Sequence, residues 1–112
     1  MSCLFCKILE GQIPSTAVHQ DDLAYAFADI DPKAPVHVLI VPRQHIDSLD
    51  QADDSQRALL GHLVWTAGEI ARKKGLGDGY RVVINTGKSG GQSVDHLHVH
   101  LLGGRQMAWP PG

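Results

Sequence analysis

The sequence contains no apolar run long enough to cross a membrane, and residues 1–7 lack the basic start and apolar stretch of a signal peptide. We therefore expect a cytoplasmic protein. Cysteine is also scarce, because Cys3 and Cys6 are the only two in the chain. Cytosolic thiols are kept reduced, so we do not expect a structural disulfide between them.

Positive charge is not in surplus. Lys and Arg total 10 against 12 Asp and Glu, which gives a formal net charge of −2, and no basic stripe is visible. Nucleic acid is therefore not an expected partner. Repeats and low-complexity tracts are also missing. The 112 residues, 43% hydrophobic and 20% charged, are typical of a single globular domain spanning residues 1–112.

Hydrophobic spacing predicts a short N-terminal helix at 4–10 and a long amphipathic helix at 54–74. Apolar and β-branched runs predict strands at 18–20, 23–30, 36–41, 80–85 and 96–102. The strands cluster and most of their connections are short, so antiparallel pairing is favoured. We expect an α+β fold, an antiparallel sheet of about five strands with the long helix on one face.

Histidine, by contrast, is abundant. Three of the seven histidines, His96, His98 and His100, lie in the last predicted strand. Side chains alternate along a strand, so these three share one face while the residues between them face the long helix. Three imidazoles beside so apolar a strand are costly unless they are hydrogen-bonded or functional. A solvated polar face and a His-x-His metal site are the alternatives, although Asp95, the nearest carboxylate, points away.

The glycine-rich loop at residues 86–93 leads into this histidine segment. Glycine lets the backbone approach a ligand closely, and consecutive amides can bind an anion. Ser93 adds a hydroxyl group to the same loop. Because a Gly-Gly pair also occurs in ordinary turns, a phosphate site and a simple turn both stay open here.

The segment His96-Leu97-His98-Val99-His100-Leu101-Leu102 resembles the His-φ-His-φ-His-φ-φ signature of the histidine triad (HIT) superfamily, where φ is an apolar residue. The loop at 90–93 and the ending Gly-Gly-Arg-Gln-Met-Ala-Trp-Pro-Pro-Gly at 103–112 look like the Hint branch of that superfamily. Segments 13–14, 29–30, 35–37 and 79–83 fit the same pattern. The resemblance covers essentially the whole chain.

This resemblance implies a hydrolase that cleaves the P–N bond of purine nucleoside phosphoramidates, which are conjugates of AMP or GMP. His98 would attack phosphorus and form a nucleotidyl-histidine intermediate, with His100 beside it on the phosphate. His37 and His96 would orient the histidine network, and Ser93 would relay a proton to the leaving amine. Imidazole suits the role of nucleophile because much of it is unprotonated near neutral pH. No cofactor is required for this chemistry.

The resemblance also implies the nucleotide-binding residues. Phosphate or ribose would be held by Asn85, Gly91, Gln92, Ser93, His98 and His100. The nucleoside pocket would be formed by Leu4, Phe5, Phe27, Asp29, Ile30 and Leu39. Within that pocket, Asp29 would bind the ribose hydroxyls.

The Cys3-x-x-Cys6 pair allows three interpretations: a redox pair, two buried apolar residues, or half of a zinc site. It resembles the cysteine pair of some zinc-binding relatives in the superfamily, which implies structural zinc bound by Cys3, Cys6, His45 and His96. Otherwise, His45 would only cap a turn. We interpret His19 as an exposed residue and His62 as a polar-face or boundary residue of the long helix.

Two other functions stay open. One is another HIT-type nucleotide hydrolase or transferase, for example one acting on dinucleoside polyphosphates. The other is a non-catalytic nucleotide-binding scaffold protein. The continuation Leu101-Leu102-Gly103-Gly104 favours the Hint branch, and the complete triad favours an enzyme.

The chain ends in Trp109 followed by Pro110, Pro111 and Gly112. Composition alone predicts a frayed tail, but a tryptophan beside prolines is also a stiff apolar group that can pack against a partner. The resemblance implies a homodimer in which this segment reaches toward the neighbouring active site.

Overall fold

The computed structural model describes residues 3–112; Met1 and Ser2, part of the segment without signal-peptide features, lie outside the described residues. The helices are α1, Leu4–Leu9, and α2, Arg57–Lys73. The strands are β1, Ala17–Gln20; β2, Ala24–Ala28; β3, Val36–Pro42; β4, Tyr80–Val83; and β5, Val99–Gly103. The expected α+β architecture is confirmed.

The five strands form one antiparallel sheet in the order β1-β2-β3-β5-β4. Strand β3 lies in the centre and is covered on both faces, which explains why its sequence is an almost unbroken apolar run. Strand β4 forms one edge of the sheet. Short connections join β1 to β2 and β2 to β3, whereas α2 occupies the connection between β3 and β4.

Two apolar clusters sandwich the sheet. On one face, Leu63, Ala67 and Ile70 of α2 pack in the same cluster as Ile40 and Leu101 of the central strands. The opposite face carries a smaller cluster, in which α1 packs against β2 and β3 through Phe5, Phe27, Leu39 and Val41. Because side chains alternate along β3 and β5, His37 and His100 fall on the α1 side of the sheet.

Strand β5 begins at Val99, so the prediction of a strand from His96 was wrong at its start. The N–H of Leu97 donates to the carbonyl of Ile46 (2.7 Å) and not to β3, while the His96 N–H turns back to Val94 (2.8 Å). The opposite strand ends at Pro42, which has no N–H to extend the ladder. His96 and His98 therefore precede the strand, and only His100 lies within it.

The long helix starts three residues later than predicted. Residues Asp54–Gln56 form a 3₁₀ turn before α2 begins at Arg57. Asp53 accepts from the Ser55 N–H (2.9 Å), and the Gln56 side chain accepts from the Asp53 N–H (2.9 Å), which is a capping box. Within residues 3–112, no helix combines the length and the hydropathy that crossing a membrane requires.

Candidate active site

A cavity of about 220 Å³ lies between α1, β2, β3 and the segment that leads into β5. Of the residues predicted to bind nucleotide, nine line it: Leu4, Phe5, Phe27, Asp29, Ile30, Leu39, Ser93, His98 and His100. The mostly apolar wall with a few polar groups at one end is typical of small-molecule sites. The cavity therefore combines an apolar wall with the polar side chains of Asp29, Ser93, His98 and His100.

His37 and His100 meet because of the strand register. His100 lies opposite Leu39 in the β3–β5 pair, so His37, two residues before Leu39, is its diagonal neighbour on the same face. The His37 Nε2 atom is 2.9 Å from His100 Nδ1 and 3.4 Å from the Asp29 carboxylate. The Lys33 backbone N–H donates to His37 Nδ1 (3.0 Å).

These contacts assign the protons. A neutral imidazole carries one proton, and His37 Nδ1 accepts a hydrogen bond, so the His37 proton is on Nε2. That N–H donates to His100 Nδ1, which puts the His100 proton on Nε2. The Lys33 amide therefore determines the tautomers of two side chains in succession.

His100 Nε2 is the one buried side-chain nitrogen or oxygen among residues 3–112 that lacks a hydrogen-bond partner. A buried donor left unpaired costs roughly 1–3 kcal/mol, so such an atom is informative. Burial, with the neighbouring His98 and His37, lowers the pKa of His100 to about 4. At neutral pH His100 is thus an uncharged donor beside a cavity.

His98 is 3% exposed and carries the opposite pattern. Its Nδ1–H donates to the His96 carbonyl (2.8 Å), so the neutral ring has its lone pair on Nε2. Its ring lies 4.9 Å from the His100 ring and edge-on to Phe5 at 5.0 Å, measured between centroids. The cavity therefore has one imidazole with a free lone pair next to one with a free N–H.

Three predicted binding residues do not line this cavity: Asn85, Gly91 and Gln92. The Gln92 amide braces the glycine-rich loop, because it accepts from Gly87 N–H (2.9 Å) and donates to the carbonyls of Asp47 (2.7 Å) and Val94 (2.9 Å). His37 and His96 also lie behind the lining residues, where they contact the histidines and cysteines around them.

A second cluster lies next to the cavity. The sulfur of Cys3 is 3.3 Å from His96 Nδ1, and that of Cys6 is 3.3 Å from His45 Nδ1 and 3.7 Å from His96 Nδ1. Sulfur and nitrogen ligands of a tetrahedral zinc ion are about 3.5 Å apart, given the usual bond lengths. The four side chains thus have the spacing of a Cys₂His₂ site.

The protons in this cluster also suit a metal. His96 Nε2 bonds to the Pro42 carbonyl (3.0 Å), and His45 Nε2 bonds to the Asp47 carboxylate (2.6 Å). Both Nε2 atoms act as donors, so both Nδ1 lone pairs face the cysteines. A carboxylate or carbonyl behind a histidine is the usual second support of a metal ligand.

Asp29, His37 and His100 form another close group of metal-ligand type. Here the protons oppose a metal, because the Lys33 N–H occupies His37 Nδ1 and forces the proton onto Nε2, the atom that faces the group. Its donor set therefore fits hydrogen bonding and not metal coordination.

The redox interpretation of the cysteines loses support. Burial and the neighbouring Cys3 raise the pKa of the Cys6 thiol to about 11. Reactive redox cysteines have lowered pKa values, because the thiolate is the nucleophile. Both cysteines are free thiols.

The two remaining histidines contact one carboxylate. His19 Nε2 and His62 Nε2 lie 2.7 and 2.8 Å from the same Asp21 oxygen. Burial opposes ionisation of Asp21, but hydrogen bonds from His19, the Leu23 N–H, His62 and the Ala24 N–H together hold its pKa well below the usual range. His19 is partly buried by this contact, not exposed as expected.

A larger and more polar cleft, about 530 Å³, lies between the α2–β4 connection and the C-terminal segment. Arg81 and Arg105 line it, and no histidine does. Size alone would favour this cleft, but the perturbed and unpaired groups are in the smaller cavity, so we place the chemistry there.

Sequence reasoning missed the backbone and carboxylate groups that orient the histidines, namely Lys33 N–H, the carbonyls of His96 and Pro42, and Asp47. Only Asp47 has a signal in the sequence, because it follows the candidate ligand His45 at a spacing of two residues. Backbone groups leave no mark in a sequence pattern.

A sequence profile of the HIT domain family matches residues 10–107. An uncharacterized HIT-like protein of Synechococcus elongatus is 55% identical over 109 residues, covering 97% of this chain and 96% of the relative. The 14 kDa zinc-binding protein of Zea mays is 52% identical over 111 residues, covering 97% and 87%. A HIT family hydrolase from Legionella pneumophila has a crystal structure with TM-score 0.97 and 49% identity, covering 99% of this chain and 100% of that one. The chain therefore belongs to the HIT domain family.

Proposed function

We propose that this protein hydrolyses the P–N bond of purine nucleoside 5′-phosphoramidates and releases a nucleoside monophosphate and an amine. The observation that carries the proposal is the pairing of His98, with an unprotonated Nε2, and His100, with an unpaired Nε2–H, at one cavity. A lone pair can attack phosphorus while the neighbouring N–H donates to a phosphoryl oxygen.

The reaction has two steps. In the first, His98 Nε2 forms a bond to phosphorus as the P–N bond breaks. The leaving nitrogen takes the hydroxyl proton of Ser93, and solvent, to which Ser93 is exposed, replaces that proton. In the second, water attacks phosphorus and releases its proton through Ser93 to solvent, and His98 leaves with its Nδ1–H still on the His96 carbonyl. Ser93 lines the cavity with His98, which is the placement this relay requires.

The other residues that line the cavity are suited to a ribose and a base, which supports the proposal of a nucleoside substrate. Asp29 offers a carboxylate to the ribose hydroxyls, and its second oxygen accepts from the Asp31 N–H (2.9 Å). Phe27 and Leu39 provide an apolar wall for a base, with Ile30, 98% exposed, at the rim. We assign Asn85 and Gly91 to the phosphate side on the family resemblance alone, since neither lines the cavity.

The test is steady-state hydrolysis of a fluorogenic adenosine phosphoramidate by wild type, His98→Ala and the control His19→Ala. We expect turnover by wild type and the control and none by His98→Ala. AMP binding to wild type without turnover of any phosphoramidate would contradict the proposal and favour the scaffold alternative. Turnover of dinucleoside polyphosphates alone would favour the other hydrolases and transferases of the superfamily.

The role of Ser93 has a separate test. Ser93→Ala should slow substrates with amine leaving groups far more than substrates whose leaving group needs no proton, because the relay serves the leaving nitrogen. A loss of kcat that is equal for all leaving groups would contradict the relay.

We further propose that Cys3, Cys6, His45 and His96 hold a structural zinc ion. The support is the sulfur–nitrogen spacing and the outward N–H bonds of both histidines. Zinc here would act as a crosslink between α1 and the histidine segment, and the chemistry at phosphorus would not involve it. Metal analysis of protein purified without added zinc or chelator should give about one zinc per chain; absence of zinc would end this proposal.

The homodimer is also a proposal. Edge strand β4 and helix α2 expose apolar side chains, including Val82, Val64 and Trp65. A second copy of the chain pairing along β4 would cover the edge and bring the exposed Trp109 segment toward the neighbouring cavity. Sedimentation analysis should find a dimer at micromolar concentration, and a monomer there would contradict the arrangement.

A further inference from the structure

The metal-ligand cluster and the nucleotide cavity share parts of the chain. Phe5 lies between Cys3 and Cys6 in sequence, and its ring packs edge-on against His98 (5.0 Å) and His96 (5.8 Å) between centroids. Leu4 and Ile8 of the same short helix also line the cavity. One wall of the cavity is therefore part of the segment that supplies both cysteines.

The nucleophile is connected to the cluster through the backbone. His96 offers Nδ1 to the cysteines, and its carbonyl accepts the Nδ1–H of His98 (2.8 Å). The position of His96 thus affects the tautomer of His98. Holding the His96 side chain at the cysteines helps to fix the residue whose carbonyl accepts from His98.

The glycine-rich loop is connected by a third route. His45 bonds to the Asp47 carboxylate (2.6 Å), and the Asp47 carbonyl accepts from the Gln92 amide (2.7 Å). Gln92 precedes Ser93 and accepts from the Gly87 N–H (2.9 Å). The loop that contains Ser93 is therefore hydrogen-bonded to the segment that contains His45, one of the four candidate metal ligands.

We infer that a metal ion bound by Cys3, Cys6, His45 and His96 positions the cavity wall, the nucleophile and the Ser93 loop together, so that metal and nucleotide bind cooperatively. The inference rests on the proposed zinc site and on nucleotide binding in the cavity. Helix α1 has only six residues and is too short to be stable alone. Its position therefore depends on the contacts that its residues and its N-cap, Cys3, make with the remainder of the protein. When the bound metal has already ordered this wall, nucleotide binding no longer has to supply the free energy of ordering it.

The coupling must be reciprocal, since it is a free energy shared by two binding equilibria. AMP should bind at least about fivefold more tightly to the zinc-loaded protein than to the zinc-free protein. Zinc affinity should rise by the same factor at saturating AMP. Both numbers are measurable without turnover, by calorimetric titration of AMP and by competition of zinc with a chromophoric chelator.

Two variants distinguish coupling through the Phe5 contact from a general destabilisation of α1. Phe5→Leu keeps all four ligands but removes the aromatic contact with His98, so zinc stoichiometry should stay at one while the coupling factor falls below about twofold. Lys7→Ala, on the same helix and outside both sites, should keep the full factor. If zinc-free protein unfolds, AMP raises the zinc affinity through folding alone. The comparison with Phe5→Leu is then decisive, because a coupling factor that persists in this variant would overturn the inference.

The outcomes distinguish the proposals. Zinc and AMP that both bind, with a coupling factor of one in wild type, would overturn this inference and leave the zinc site and the nucleotide site standing. A chain that binds no zinc overturns the inference together with the zinc site, and one that binds no AMP overturns it together with the proposed function. A factor of five or more that is lost in Phe5→Leu supports it.

Discussion

The burial of His100 should make protein stability depend on pH. The folded state holds the pKa of His100 at about 4, against 6.5 for an ordinary histidine, mainly through burial. Between these values the unfolded chain takes up a proton that the folded chain does not. The free energy of unfolding should therefore fall as the pH is lowered from about 6.5 to about 4, and no further below that.

The magnitude follows from the same two values. Between pH 7.5 and 4.5, this one group should lower the free energy of unfolding by about 1–2.5 kcal/mol, the smaller figure allowing for solvent screening of a partly exposed ring. His100→Asn is the matched variant, because the Asn oxygen can replace Nδ1 as acceptor for His37 while the titrating ring is removed. Between pH 7.5 and 4.5, the free energy of unfolding of His100→Asn should therefore fall by about 1–2.5 kcal/mol less than that of wild type.

The assay is urea unfolding of wild type and His100→Asn at pH 7.5 and 4.5. Excess chelator and a fixed protein concentration keep metal release and dimer dissociation from contributing. Because the pKa of His37 is also lowered by burial, the variant should keep some pH dependence. If the two proteins lose the same stability within about 0.5 kcal/mol, the assignment of a low pKa to His100 is refuted.

Three further predictions concern the loop, the core and the sheet edge. Gly90→Ala should disrupt the loop and weaken AMP binding more than Gly91→Ala, because its Cβ would lie 2.3 Å from the Thr86 carbonyl oxygen; calorimetric titration compares them. The added Cβ of Gly91→Ala meets open space at φ +85°, so it should cost only about 1–2 kcal/mol of backbone strain in urea unfolding. Leu97→Ala should lower the free energy of unfolding by about 2–5 kcal/mol, since Leu97 is fully buried under α2, and a smaller loss would contradict its core position. Val82→Glu on edge strand β4 should shift the sedimentation of the protein toward the monomer, and an unchanged dimer would place the interface elsewhere.

Much of the fold could be predicted because periodicity reports which face of an element is buried. The apolar stripe of α2 and the run in β3 led to the right elements in the right order. The start of β5 could not be predicted, because the Leu97 N–H donates to the carbonyl of Ile46, a residue about fifty positions away in the sequence. Strand ends are decided by such distant partners, and local pattern does not contain them.

The candidate site divides in the same way. Side chains that repeat at fixed spacing, such as His98 and His100, could be identified from the sequence together with the family resemblance. The role of Gln92 as a brace could not, because it depends on the carbonyls of Asp47 and Val94 meeting one amide. Nor could the histidine tautomers be predicted, because backbone groups and neighbouring side chains determine them.

His45, His96, His98 and His100 each use one ring nitrogen for a hydrogen bond to the protein and present the other nitrogen to a ligand site. His45 and His96 donate their Nε2–H groups to oxygen, so each presents an Nδ1 lone pair to the cysteines. His98 donates its Nδ1–H to the His96 carbonyl and presents the Nε2 lone pair to the cavity. His100 accepts at Nδ1 from His37 and presents its Nε2–H.

This arrangement explains why histidines that are close in sequence need not have interchangeable roles. Two lone pairs beside two sulfurs suit a metal ion, whereas one lone pair beside one N–H suits a phosphoryl group, which has an electrophilic centre and acceptor oxygens. The difference lies in which ring nitrogen is already hydrogen-bonded to the protein, not in the residue type. A change at Lys33 that removed its N–H, such as Lys33→Pro, should therefore impair His100 as a donor although it leaves every histidine in place.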